Sequence, residues 1–235
     1  MSDRLLEIQK RFKLVLRPYE ETEDITVTEL ASRLAPQPVF ELKPAEEEIF
    51  VEGTEEPQTP RNEFGNVFHR VMEVQVRSRS KSFKTSWLKK LTVDLNAAEQ
   101  EEIEKSALRF WKGPWGARVR SAKRCYPELP FIYKTRYGIL KGQIDLVFQE
   151  KNGAWTILDY KTNRVVPEGL KAASLEYEKQ LAFYALAFKK LYGEAPKKSV
   201  LYFAAVDKVY EFDYVEADFA LFERELEEAY RAVLT

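Results

Sequence analysis

Lys141-Gly-Gln-Ile-Asp-Leu-Val-Phe148 and Trp155-Thr-Ile-Leu-Asp-Tyr-Lys-Thr162 decide the fold. Both runs are rich in β-branched and aromatic residues. Lys151-Asn-Gly153 between them is a turn signal, so the pair reads as a β-hairpin. Three charged residues break the apolar pattern. Asp145 interrupts the first strand. Asp159 and Lys161 sit two apart in the second, so both point to one face of it. Charges on a sheet face are costly to bury without a purpose. Two readings fit: a surface hairpin held by a salt bridge, or two carboxylates and an ammonium gathered around a hard metal ion.

Working upstream, residues 62–76 have helical periodicity, with Phe64, Val67, Phe68, Val71 and Met72 on the packing face and Gly65, His69 and Glu73 along another stripe. His69 is the single histidine, a structural residue or a ligand. A serine-rich basic tract follows, with Arg77, Arg79, Lys81, Lys84, Lys89 and Lys90 interleaved with Phe83 and Trp87. Cations with aromatics suit a nucleic-acid strand, and equally a solvated loop. Leu95–Trp111 predicts a second helix with the acidic run Glu99-Gln-Glu-Glu102 in its first half and Gly113-Pro114 at its end. Ala117–Ala122 predicts a short basic helix. Tyr126–Tyr137 is extended and turns at Gly138 into the hairpin, giving three consecutive antiparallel strands.

Downstream, Ala173–Tyr192 predicts one helix, with Tyr177, Leu181, Tyr184 and Phe188 on a stripe and Gly193 as its stop. Gln180 and Tyr184, four apart, share a face. Ser199–Val206 and Val209–Tyr214 predict paired strands, and residues 217–234 a final helix. The order is that of an α/β fold with a central mixed sheet flanked by helices. At the N-terminus, residues 1–18 have helical spacing. Ile25 opens a short extended entry, and Thr28 caps a helix running to Leu34. Residues 35–61 are rich in Pro, Glu and Thr and predict a loop. Two units result: an N-terminal helical segment with an acidic linker over 1–61, and a folded domain over 62–235.

Composition excludes several classes. No apolar run approaches the roughly 20 residues of a membrane span, and Met1-Ser-Asp-Arg-Leu-Leu lacks a signal-peptide layout. A single cysteine, Cys125, rules out a disulfide framework and a cysteine-ligated iron–sulfur cluster, and suits a reducing cytoplasm. No phosphate-binding Gly-x-x-x-x-Gly-Lys-Ser/Thr loop is present, so no ATP site is expected. The net charge of −1 conceals a net of −7 over residues 1–60, +9 over 61–145 and −3 over 146–235. A basic middle is a plausible footprint for a phosphate backbone.

Five blocks taken in order, Thr26-Val-Thr-Glu-Leu30, Gly65-Asn-Val-Phe-His69, Glu128-Leu-Pro-Phe131, Gly142-Gln-Ile-Asp145 with Asp159-Tyr-Lys-Thr162, and Gln180-Leu-Ala-Phe-Tyr184, resemble the PD-(D/E)xK nuclease superfamily. More closely they are similar to the nuclease domains of the RecB and AddA proteins, modules of UvrD-like helicase–nucleases. The resemblance implies the restriction-endonuclease-like core for residues 62–235. It also implies metal-dependent hydrolysis of DNA phosphodiesters, most closely as an exonuclease in double-strand-break repair and recombination. Position by position, it implies His69, Asp145, Asp159 and the Tyr160 carbonyl as metal ligands, Lys161 as the catalytic lysine, and Gln180, Tyr184 and Thr162 as residues lining the site and meeting DNA. Glu128 matches the acidic residue of the first strand, as an accessory or a structural group. The implied cofactor is Mg²⁺ or Mn²⁺. The implied partners are single-stranded DNA ends and a helicase motor, in the same polypeptide or on a separate partner chain, in a bacterial cytoplasm. Where the superfamily name has Pro-Asp, this chain has Ile144-Asp145, as this branch does. The four-cysteine cluster of some relatives is absent. A decayed DNA- or partner-binding module and a stand-alone restriction-type endonuclease are the competing readings.

Overall fold

The computed structural model describes residues 24–27, 61–135 and 138–234. The helices expected over 1–18 and 28–34 and most of the 35–61 loop lie outside the described residues. Within them the chain forms a six-stranded mixed sheet between two helical layers, the α/β architecture expected from the order of elements.

The strands are β1 (Asp24–Thr26), β2 (Arg124–Lys134), β3 (Ile139–Gln149), β4 (Trp155–Lys161), β5 (Pro196–Phe203) and β6 (Lys208–Asp213). β2, β3 and β4 are the antiparallel meander, β5 lies parallel to β4, and β6 returns antiparallel to β5. The helices are α1 (Arg61–Ser78), α2 (Leu88–Leu91), α3 (Ala97–Lys112), α4 (Pro114–Arg120), α5 (Leu170–Leu175), α6 (Glu178–Tyr192) and α7 (Glu216–Leu234).

The layers follow from side-chain alternation. On β4, Trp155 and Ile157 enter a core with Leu181, Phe183 and Phe188 of α6 and Phe219 and Leu226 of α7. Leu158 and Tyr160 face the other way, into a core with Phe68 and Met72 of α1 and Ile103 and Phe110 of α3. A strand covered on both faces reads as a near-continuous apolar run, and β4 is buried from Trp155 through Tyr160. Local signals fix the helix ends. Asn96 accepts from the Glu99 N–H while Glu99 accepts from the Asn96 N–H, a capping box opening α3. Gly193, in the left-handed region at φ 77°, closes α6.

Strand β3 has three neighbours. β2 runs along one edge over its whole length, Arg124 opposite Gln149 through Lys134 opposite Ile139. The other edge is shared. β4 pairs with Leu146–Gln149, and β1 pairs in parallel with Ile139–Lys141. Between these two ladders Gly142–Asp145 has no strand on this edge among the described residues, so the sheet forks there. The sequence gives an extended entry at Ile25, but nothing local says that it will join this sheet.

One expected helix is two. The helix expected over Ala173–Tyr192 breaks at Glu176–Tyr177, between α5 and α6. Ser174 turns its hydroxyl back to the Leu170 carbonyl (2.7 Å), and the Tyr177 N–H reaches the Ser174 carbonyl (3.1 Å). These bonds close off the first turn and let the chain change direction. The strand expected from Ser199 starts at Pro196 and ends at Phe203, where the chain turns through Asp207 at φ 52°.

Candidate metal centre

The fork brings the two helical layers into one cavity of about 750 Å³. Its walls include His69 on α1, Asp145 on β3, Asp159, Tyr160 and Lys161 on β4, Thr162 just beyond, and Gln180 and Tyr184 on α6. Every one of these residues was singled out in the sequence.

Asp145 sits where the β3–β4 ladder ends, one residue past the Leu146–Leu158 pair. Its Oδ2 accepts the Tyr160 backbone N–H at 2.7 Å, a bond that β3 would otherwise supply. In a strand the N–H and C=O of one residue point the same way. The Tyr160 carbonyl therefore also faces the fork, whereas the Lys161 carbonyl faces β5 and accepts the Ala204 N–H at 2.8 Å. His69 comes from the opposite layer, with its Nδ1 3.4 Å from Asp145 Oδ2 and its ring edge-on to that of Tyr160. Gly65, one turn earlier, allows this approach: a Cβ there would lie 3.3 Å from Thr162 Oγ1.

Glu128 falls opposite Asp145 on β2, between the Pro127–Leu146 and Leu129–Ile144 pairs, with φ at 49°. This is left-handed backbone for a non-glycine residue, which is uncommon inside a strand and a mark of functional sites. Its carboxylate accepts from Gln143 Nε2. His69, Glu128 and Asp145 each present one ligand atom, and the three atoms lie within 4.8 Å of one another. The structure thus draws Glu128, the accessory candidate, into the tightest cluster of donors.

Asp159 and Lys161 project together on the α6 side of β4. Lys161 Nζ lies 2.8 Å from Asp159 Oδ2 and 4.0 Å from the centre of the Tyr177 ring. Asp159 Oδ2 is fully buried, and the Lys161 ammonium is the cation beside it. Gln180 Nε2 donates to Tyr184 Oη at 2.9 Å, so the two share the helix face their spacing predicts.

The electrostatics are those of a crowded anionic site. Burial pushes the Asp159 carboxyl above the usual range, more than Lys161 pulls it down, and the Asp145 charge adds to the rise. Burial and the Asp145 charge also raise Glu128. Burial works to lower His69, but Asp145, by charge and hydrogen bond, outweighs it and lifts the imidazole from 6.5 to about 9. Burial likewise opposes Lys161, and the neighbouring Asp159 charge more than offsets it, so its pKa is raised. Two carboxylic acids with raised pKa values and a histidine that captures a proton describe a pocket short of positive charge. Oxygen donors with one imidazole suit a divalent cation of the Mg²⁺ or Mn²⁺ type.

A profile of the PD-(D/E)XK nuclease superfamily matches residues 42–235. The chain belongs to the PD-(D/E)XK nuclease superfamily. It is similar to an ATP-dependent helicase/nuclease subunit of Alkaliphilus oremlandii (strain OhILAs), 32% identical over 118 residues that cover 44% of this chain and 10% of that protein. It is also similar to the protein of the same name from Carboxydothermus hydrogenoformans, 33% identical over 113 residues covering 43% and 10%. With the counterpart of that name in Clostridium botulinum (strain Kyoto / Type A2) the likeness is 24% over 241 aligned residues, covering 90% of this chain. The matches span between 10% and 18% of the length of these relatives. The superfamily match accounts for the mixed sheet flanked by helices. Among the described residues no helix is long and apolar enough to cross a membrane.

Some wall residues were not singled out in the sequence as site residues. Tyr177 read there as part of a packing stripe, yet its ring lies beneath Lys161 and its Oη accepts from Asn163 Nδ2 at 3.2 Å. Its spacing held a usable signal: Tyr177, Gln180 and Tyr184 stand at i, i+3 and i+7, along one helical stripe. At the cavity rim, Arg164 reaches Glu102 of α3 at 3.2 Å. No local pattern joins two residues so far apart in sequence.

Proposed function

We propose that the chain is a Mg²⁺- or Mn²⁺-dependent deoxyribonuclease module that hydrolyses phosphodiester bonds at single-stranded DNA ends. The observation that carries this reading is the convergence of His69, Glu128, Asp145, Asp159 and Lys161 at the fork, with their charges out of balance until a cation joins them. His69, Glu128, Asp145, Asp159 and the Tyr160 carbonyl are the candidate ligands. When bound, the cation polarises the scissile phosphate and acidifies water.

The remaining work falls to the chain. The Tyr160 N–H fixes the Asp145 carboxylate. The Asp159 charge keeps Lys161 protonated, so Lys161 acts as a donor: it orients water and offsets charge on the phosphoryl oxygens. The Tyr177 ring, its centre 4.0 Å from Lys161 Nζ, adds a cation–π contact to that ammonium. Gln180, Tyr184 and Thr162 line the wall that the strand would pass.

The similarity to ATP-dependent helicase/nuclease proteins supports two further parts of the proposal. The module acts in a bacterial cytoplasm with a helicase motor, in the same polypeptide or on a separate partner chain, and serves double-strand-break repair and recombination. Residues 62–235 are the proposed nuclease domain, preceded by a helical segment and acidic linker over 1–61.

The test is cleavage of end-labelled linear, end-blocked and circular DNA while Mg²⁺ or Mn²⁺ is titrated. Cleavage that needs the cation, starts at free ends and disappears in Asp159→Asn and Lys161→Ala is expected. Full activity in chelator, or in either variant, overturns the proposal. Cutting of circular duplex DNA would instead indicate a restriction-type endonuclease.

A further inference from the structure

Between Arg77 and Thr92 the sequence contains no Asp or Glu. Arg79, Lys81, Lys84, Lys89 and Lys90 are all exposed. None of the five forms an ion pair or a side-chain hydrogen bond among the described residues. The α6–α7 surface is built differently. Each of the three lysines of α6 meets a glutamate of α7: Lys179 with Glu225, Lys189 with Glu216 and Lys190 with Glu223. Five like charges with no acidic partner among the described residues raise the local potential and repel one another.

The segment is nevertheless held in place. Gln75, fully buried near the end of α1, donates from Nε2 to the Ser82 carbonyl (3.1 Å) and accepts the Lys84 N–H at Oε1 (3.1 Å). Phe83 and Trp87, with ring centres 6.1 Å apart, are half-buried against the core beneath α1 and α3. A buried amide and two aromatic anchors fix the loop backbone while its cations face outward. A flexible solvated loop has no need of that scaffold.

The segment also begins beside the metal centre. Arg77, eight residues after His69 on α1, lies about 12 Å along the helix at 1.5 Å per residue. Its Nη2 donates to the Pro127 carbonyl at 3.3 Å, the residue before Glu128.

We propose that Arg79–Lys90 is a second binding surface for the phosphate backbone of a nucleic-acid strand whose end occupies the metal centre. The assignment rests on the nuclease reading above. Preformed cations retain the strand between cuts without reading its sequence. Phe83 and Trp87 are half-buried, so they brace the loop rather than offer a free stacking platform.

The test uses the full chain in chelator, where nothing is cut. Binding of labelled oligothymidylates of roughly 6 and roughly 25 nucleotides is measured by anisotropy across salt concentrations. The quadruple variant Lys81→Ala/Lys84→Ala/Lys89→Ala/Lys90→Ala is compared with the parent and with the matching Lys→Arg set. Each lost single-strand phosphate contact lowers the slope of log affinity against log salt by about 0.7. Three lost contacts lower it by about 2 and weaken binding of the long strand at 0.1 M salt by about 100-fold, with convergence near 1 M. The short strand is expected to bind the variant and the parent alike, and the Arg set to match the parent. Equal affinity and slope for the long strand in the Ala variant would overturn this surface and leave it to an acidic protein partner. Cation-dependent cleavage of the short strand by that same variant would show that the nuclease reading stands regardless. Absence of any salt-dependent DNA binding by the parent would overturn both.

Discussion

The single histidine makes the candidate metal centre open to a direct measurement. In metal-free protein the Asp145 carboxylate, 3.4 Å from His69 Nδ1, lifts the imidazole from 6.5 to about 9 against the opposing effect of burial. That step corresponds to about 3 kcal/mol of preference for the protonated ring in the folded state, at about 1.4 kcal/mol per pKa unit. Substituting Asp145→Asn removes the charge and keeps an oxygen for the Tyr160 N–H, so the fork is retained while the imidazole falls back toward 6.5. The assay is an NMR titration of the His69 ring protons in chelator, free of overlap because the chain has one histidine. Stability reports the same linkage. Between pH 6.5 and 9 the folded state holds a proton that the unfolded state has released. The contribution is fully present below 6.5 and disappears as pH rises through 9, at up to about 1.4 kcal/mol per pH unit. Urea midpoints of the metal-free parent should fall across that window, and those of Asp145→Asn should fall much less. A metal ion needs the neutral ring, so Mn²⁺ binding at about pH 7 should release a proton. A wild-type titration near 6.5, or one unchanged by Asp145→Asn, would refute the coupling.

Two other perturbations separate structural from chemical roles. Lys161→Met leaves the Asp159 carboxylate buried without its ammonium and should cost about 3–5 kcal/mol in urea unfolding. Asp159→Asn/Lys161→Met should recover most of that loss, so a double variant no more stable than Lys161→Met would contradict the pairing. Tyr177→Leu removes the ring under Lys161. A desolvated cation–π contact of about 2 kcal/mol gives a roughly 30-fold lower kcat with KM little changed. Tyr177→Phe should restore the rate, and equal losses in the two variants would mean that the hydroxyl, not the ring, is what matters.

Much of the centre was legible because its signals are local. Period-two alternation set Asp159 and Lys161 on one face of β4, and helical spacing put Gln180 beside Tyr184. Gly65 and His69 fall one turn apart, and in the structure the glycine packs close to Thr162, where a Cβ would lie 3.3 Å from its Oγ1, while the histidine meets Asp145. What could not be read is long-range. The fork exists because β1 and β4 share one edge of β3, and no window of sequence shows a shared edge. The inward place of Glu128 depends on left-handed backbone at a residue type that seldom adopts it. The break before α6, which sends Tyr177 to Lys161, lies in a stretch whose apolar period continues unbroken.

The burial of β4 on both faces has a further consequence. An ordinary half-exposed strand marks its inward side by hydrophobicity, and a slip of one residue is resisted because apolar side chains would meet water. Here the Trp155–Ile157 face and the Leu158–Tyr160 face are equally dry, so greasiness alone cannot distinguish the two registers. Asp159 and Lys161 can, because a slip would drive both charges into hydrocarbon. The buried ion pair is therefore also the strand's alignment mark. A lineage that discarded the chemistry would still need something polar at those two positions to keep its sheet in step.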